Sequence, residues 1–149
     1  MRGGRRWEQR AVSAAVLVVC AVLVVACGGN DKPPPLRQMS MSYSYTISPD
    51  DVPPHARQDV HYTIQIFDGK TRQPIEAGEG QLFASNNEGA KTWDALAYGP
   101  EIGTYHAKLN YVVAGTWAVA IRFRRDSLRP LERIDWMQQV QDERPSSVP

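Results

Sequence analysis

Cysteine is nearly absent: the 149-residue chain has two, Cys20 and Cys27, both near its start. That leaves no disulfide framework, and without a Cys-x-x-Cys or a close His pair the usual zinc signatures are missing too. Histidine is scarce, with three in all. No Gly-x-Ser-x-Gly elbow, phosphate-binding glycine loop or His-Glu-x-x-His motif occurs, so the common hydrolase, nucleotide and zinc-protease chemistries have no support in the sequence. Excess charge is lacking as well, since 17 basic residues against 16 acidic give a formal net charge of +1. Such a balance does not point to nucleic acid or to an extended anionic lipid surface. Nor does any apolar run reach the roughly 20 residues that span a bilayer core. The longest, Ala11 to Ala26, has sixteen, interrupted only mildly by Ser13 and Cys20.

What is present starts with Arg2, Arg5, Arg6 and Arg10 against a single Glu8, followed by that apolar run and a small-residue boundary. A basic start, an apolar stretch and small residues are the order of a secretory signal. Val24-Val25-Ala26-Cys27 resembles the lipobox of bacterial lipoproteins. The resemblance implies that residues 1–26 are a lipoprotein signal peptide, cut before Cys27, whose thiol takes diacylglycerol and thus palmitate-like chains. An uncleaved signal anchor is the alternative. Two or three acyl chains give the multiple signals that stable anchoring requires. The implied location is the extracytoplasmic side of the cell membrane, with inner and outer membrane both open: Gly28 stands where some Gram-negative lipoproteins carry an inner-membrane retention Asp, a rule that need not hold in every bacterium. Cleavage removes four arginines and one glutamate. It leaves a slightly acidic chain with no thiol for a disulfide, so the core alone must stabilise it.

Residues 27–38 read as a tether, first Gly28-Gly29-Asn30-Asp31 and then a stiff Lys32-Pro33-Pro34-Pro35 spacer. Met39 opens a period-2 alternation in which Met39, Met41, Tyr43, Tyr45 and Ile47 share one side, the mark of a half-buried strand. Val60, Tyr62, Ile64 and Ile66 form a second strand, ended by Asp68-Gly69-Lys70. Weaker strands are expected over 81–85 and 92–98. Tyr105, Ala107, Leu109, Tyr111 and Val113 line a strong strand, and Trp117, Val119, Ile121 and Phe123 line its expected hairpin partner across Ala114-Gly115. Six strand-like segments with no periodic helix among them predict an all-β, immunoglobulin-like antiparallel β-sandwich over 39–125, after the N-terminal lipoprotein signal segment. Glu101-Ile-Gly103-Thr-Tyr105-His-Ala107 resembles a tyrosine corner, with Ala107 where antibody domains carry Cys. Residues 126–141 form a C-terminal extension that suits either a helical stripe (Leu131, Ile134, Met137, Val140) or, preferably, an added edge strand. Disorder is expected over 142–149.

The stretch from about Thr46 to Phe123 resembles the YtkA-like and FixH-like group of bacterial extracytoplasmic domains. The matching words are Asp68-Gly69, Pro74-Ile75-Glu76-Ala77, Gly103-Thr-Tyr105 and Ala114-Gly115-Thr-Trp117. They imply structural roles, with Tyr105 and Trp117 as packing anchors and Gly103 and Gly115 at turns. The likeness also implies copper handling or assembly of haem-copper oxidases, which calls for soft ligands. The loop Asn86 to Lys91 has neither Met nor His, where copper-associated relatives often carry them. Weak Cu(I) ligand candidates are Met39 and Met41, placed on one face by a continuous strand, then His55, His61 and His106.

Two further clusters carry charge. Asp50, Asp51 and Asp59 offer carboxylates near His55, though acid-rich turns are usually solvated. Arg122, Arg124 and Arg125 gather at a strand end, which commonly protects an edge but could meet lipid headgroups or an acidic partner. The expectation is therefore a non-enzymatic binding or assembly module, lipid-anchored, whose partner is a membrane protein complex or exported protein and not nucleic acid. A metal-delivery accessory protein and a purely structural envelope lipoprotein are the alternatives.

Overall fold

The computed structural model describes residues 33–145, so Cys27 and the whole of the expected signal peptide lie outside the described residues. Nine strands follow in order: β1 (Leu36–Met39), β2 (Tyr43–Pro49), β3 (Asp59–Asp68), β4 (Glu79–Asn86), β5 (Lys91–Ala95), β6 (Ala97–Tyr98), β7 (Thr104–Asn110), β8 (Gly115–Arg124) and β9 (Glu132–Val140). They form a five-stranded sheet ordered β1-β2-β3-β7-β6 and a four-stranded sheet ordered β5-β4-β8-β9. All of these strand pairings are antiparallel. In immunoglobulin lettering β2-β3-β7-β6 correspond to A-B-E-D, and β4-β8-β9 to C-F-G with β5 beside C. The all-β sandwich expected from the sequence is the fold.

The core follows from the alternation. Tyr43, Tyr45 and Ile47 from β2, Val60, Tyr62, Ile64 and Ile66 from β3, and Tyr105, Ala107 and Leu109 from β7 are buried. They meet Leu82 and Ala84 from β4, Trp117, Val119, Ile121 and Phe123 from β8, and Ile134 and Val140 from β9. Phe123 is a hub: Tyr43 and Tyr105 approach it edge-on, with ring centroids 5.2 and 5.3 Å away. Edge-to-face contact suits the ring quadrupole and adds to the area these aromatics bury.

Several expectations about connections give way. The alternation from Met39 to Ile47 is not one strand, because a turn at Ser40–Ser42 folds β1 back on β2, with Leu36 opposite Ile47 and Met39 opposite Ser44. A hydrogen bond from Ser40 N–H to the Tyr43 carbonyl, 2.9 Å, closes that turn. The tether consequently yields to strand at Leu36, inside the 27–38 span expected for it. The segment expected as one strand over 92–98 divides at Leu96: β5 pairs with β4 in one sheet, and β6 pairs with β7 in the other. Leu96 is buried at this switch, and its N–H donates to the Gly80 carbonyl at 2.9 Å. β6 covers only two residues of β7, and beyond it the Asp94 carboxylate accepts the Lys108 N–H at 2.8 Å. A side chain thus replaces a strand along that edge.

β7 and β8 are not a hairpin either. The chain crosses between sheets over Tyr111–Ala114, so β7 pairs with β3 and β8 with β4 and β9. Apolar periodicity cannot separate these connections, since both bury the same residues. Residues 126–141 supply β9, which extends the sandwich beyond Arg125 and excludes the helical stripe. Ile134 and Val140 face inward, while Leu131 and Met137 of that stripe are exposed. Part of the expected disorder is ordered contact as well: Glu143 pairs with Arg57 at 3.5 Å, and Arg144 pairs with Asp51. Residues 146–149 lie outside the described residues.

Candidate functional site

The β2–β3 connection holds the only candidate carboxylate–imidazole arrangement the sequence suggested, and it comes together in part. His55 Nδ1 lies 2.8 Å from Asp51 Oδ2, both side chains being mostly buried, while Arg144 engages the other Asp51 oxygen. Asp50 turns away and accepts the His61 backbone N–H at 2.9 Å. Asp59 is not near His55: it accepts Lys108 Nζ and Asn110 Nδ2, each at 2.9 Å. Those two hydrogen bonds hold its carboxyl below the ordinary range. Gln141 stitches the loop to the end of β9, donating to the Pro54 carbonyl and accepting from the Ala56 N–H. Beneath, the Tyr62 and Tyr111 hydroxyls meet at 2.6 Å. Burial pushes Tyr111 up to about 12, and Tyr62 higher still, so both stay protonated near neutrality. An orienting carboxylate beside an imidazole is one part of a general base, but here one Asp51 oxygen holds His55 within the loop and the other pins the loop to Arg144 of the C-terminal segment.

The soft-ligand candidates are separated. Met39 ends β1 and Met41 sits in the turn after it, so no continuous strand places both thioethers on one face. His61 and His106 occupy exposed positions on β3 and β7. Among the described residues no three His, Cys, Asp or Glu side chains gather closely enough to hold a metal ion. The arginine cluster also disperses. Arg124 pairs with Glu79 at 2.5 Å and Arg125 with Asp68 at 3.0 Å, whereas Arg122 lies over the Phe83 ring, 4.9 Å from its centroid. Successive residues of a strand face opposite ways, which sends Arg122 and Arg124 to one side and Arg125, past the strand end, to another.

The four structural-motif residues fall into two separate pairs, Gly103 with Tyr105 against the β3–β4 connection and Gly115 with Trp117 near the crossover at Tyr111–Ala114. The Tyr105 hydroxyl donates to the Ile75 carbonyl at 2.8 Å and accepts the Gly78 N–H at 2.9 Å. It therefore ties down the β3–β4 connection, about thirty residues upstream, rather than the loop beside its own strand. Tyr105 begins β7, in the sheet of β3, so the tyrosine-corner placement before the penultimate strand does not hold, and Ala107 is not at an inter-sheet cysteine position. Gly103 has φ +75°, and a Cβ there would stand 2.5 Å from Pro74 Cβ. Trp117 is fully buried, stacks edge-on with Tyr111 and donates Nε1–H to the Val113 carbonyl at 3.1 Å. Gly115 has φ +122° with open space around it.

The outer face of the four-stranded sheet carries a surface that the sequence reading missed. Phe83 alternates with Leu82 and Ala84 and so projects outward. Directly beside it on β5 stands Trp93, 68 % exposed. On the next row Arg122 of β8 is paired with Arg133 of β9, and both guanidiniums lie over the Phe83 ring, at 4.9 and 5.0 Å. Arg133 also donates from Nε to Asp135 Oδ1 at 2.8 Å. Met137, one row on, is 67 % exposed. The available signal was an aromatic or cationic residue in the solvent phase of four different strands. It becomes a patch only once their registers are known.

No family model, curated protein or solved structure matches the chain.

Proposed function

We propose that the protein is a lipid-anchored, extracytoplasmic binding or assembly module, tethered through Cys27 and working by surface contact rather than by catalysis. The observation that carries this reading is the outer face of the four-stranded sheet. Trp93, Phe83, Arg122, Arg133 and Met137 are the residue types enriched in the centres of protein interfaces. A rigid sandwich with a tied-down loop system is a suitable scaffold for such a face. The lipobox-like Val24-Val25-Ala26-Cys27 and the Pro33-Pro34-Pro35 spacer support its placement at a membrane. The YtkA-like and FixH-like words support the same setting, and in this chain they are occupied with packing.

The test is recovery of a defined complex. The tagged full chain, taken from solubilised membranes, should bring down the same partner repeatedly. Trp93→Ala should release that partner while leaving the melting temperature within about 2 °C, since an exposed side chain contributes little to stability. Repeated recovery of the bare lipoprotein would count against the module.

A further inference from the structure

We infer that the open face of the four-stranded sheet takes an acidic, extended segment of a partner protein, laid across the strands. A carboxylate of that segment sits at Arg122 and Arg133, and an apolar side chain two residues away covers Trp93. The inference rests on the binding-module reading above and adds the chemistry of the partner.

The first support is a like-charge pair. Arg122 and Arg133 are direct cross-strand partners, and like charges placed opposite each other destabilise a sheet. Stacking over Phe83 at 4.9 and 5.0 Å offsets part of that repulsion. Only one carboxylate serves the pair: Asp135 engages Arg133, and among the described residues Arg122 has no carboxylate partner. One added carboxylate would complete the balance, and the planar guanidinium is suited to accept it in a bidentate manner. Lys91, two positions along β5 from Trp93, adds a third cation at this face.

The second support is spacing. Trp93 on β5 and Arg122 on β8 are separated by β4, so their strands lie about 10 Å apart at the usual spacing between neighbours. Both guanidiniums lean back over Phe83, the direct neighbour of Trp93, which shortens that gap, and in an extended chain the nearest side chains on one face are two residues and about 7 Å apart. An acid so placed from an aliphatic or aromatic residue therefore reaches both points. The third is size. Four strands by about six residues give a face of roughly 400 Å², which is below the roughly 800 Å² per partner of a standard interface. A single segment fits that area better than a broad globular surface.

The experiment uses the full chain in a non-ionic detergent and isothermal titration with ten-residue synthetic peptides. One carries Glu two residues from Leu, a second has Gln for Glu, and a third has the Glu and Leu moved to opposite ends. The first should bind, and the other two should bind at least tenfold more weakly. Arg122→Glu and Trp93→Ala should each weaken the first peptide at least tenfold, and binding should fall as salt is raised. If Arg122→Glu melts early, Arg122→Gln takes its place. Equal binding of all three peptides, or binding unchanged by both variants, overturns the inference. So does a stronger response to polygalacturonate, phosphatidylglycerol vesicles or oligo-dT than to the acidic peptide. A membrane partner that survives both variants sinks this surface and leaves the module reading standing. Peptide binding with no membrane partner does the reverse.

Discussion

Tyr105 shows how one hydroxyl can hold a long connection. Its oxygen satisfies both the Ile75 carbonyl and the Gly78 N–H, and the ring packs against Phe123. Tyr105→Phe keeps the ring but strands both backbone groups, which costs about 1–3 kcal/mol when they remain buried. Urea denaturation should show that loss as a lower midpoint with an unchanged slope, and an unchanged midpoint would mean water replaces the hydroxyl. Two glycines offer a sharper comparison. Gly103 and Gly115 both have positive φ, but a Cβ on Gly103 meets Pro74 at 2.5 Å while one on Gly115 meets nothing within 4 Å. Gly115→Ala should therefore cost only the backbone strain, about 1–3 kcal/mol. Gly103→Ala should cost clearly more, because the Pro74 ring is fixed to its own backbone and must move with the connection. Equal melting temperatures for the two variants would show that the connection yields freely.

Between elements, the sequence was most legible where a strand buries one face. The period of two places Tyr43, Tyr45 and Ile47, the alternate residues from Val60 to Ile66, and those from Trp117 to Phe123 on core faces, and all are buried, whereas Met39 and Met41 of the first alternation are exposed. It was least legible where the chain changes partner. The turn at Ser40–Ser42, the sheet switch at Leu96 and the crossover after Asn110 all preserve the alternation while altering what each strand pairs with. The Trp93–Arg122 face was hidden for a related reason, as its residues come from four strands whose adjacency is a property of register. One inter-element contact is directly testable. Glu132, at the start of β9, accepts the Ser42 N–H at 2.9 Å and so ties the β1–β2 turn to the opposite sheet. Burial works to raise its pKa, but hydrogen bonds from the Ser40 and Ser42 side chains and from the Ser42 and Met41 backbone outweigh that and lower it. A carboxyl lowered on folding gives stability that is fully present above its unfolded pKa and is lost as pH falls through the folded one. Glu132→Gln should thus cost about 1 kcal/mol at pH 7, a half-exposed group being partly screened. The gap to the parent protein should close below about pH 4. Melting curves at pH 7 and pH 3 check this, and a gap that persists at pH 3 would place the effect in packing.

At the scale of the whole molecule, the decisive quantity is whether Cys27 carries lipid. Both cysteines belong to the first 27 residues, so a cleaved and acylated chain presents no free thiol. Long acyl chains bring on the order of 10 kcal/mol each at about 0.8 kcal/mol per buried CH₂, and two such chains hold a protein stably on a bilayer. The sandwich spans β1 to β9, from Leu36 to Val140, and has its own hydrophobic core. Labelled palmitate should enter the parent protein and a Cys20→Ala variant equally, because Cys20 would depart with the proposed signal. Cys27→Ala should take up no label and should run as the longer, uncut precursor, since the peptidase acts only after acylation. Label retained in Cys27→Ala would refute the anchor outright. Loss of label with normal cleavage would instead indicate an ordinary secretory signal and a released domain, which would carry the Trp93–Arg122 face to partners away from the membrane.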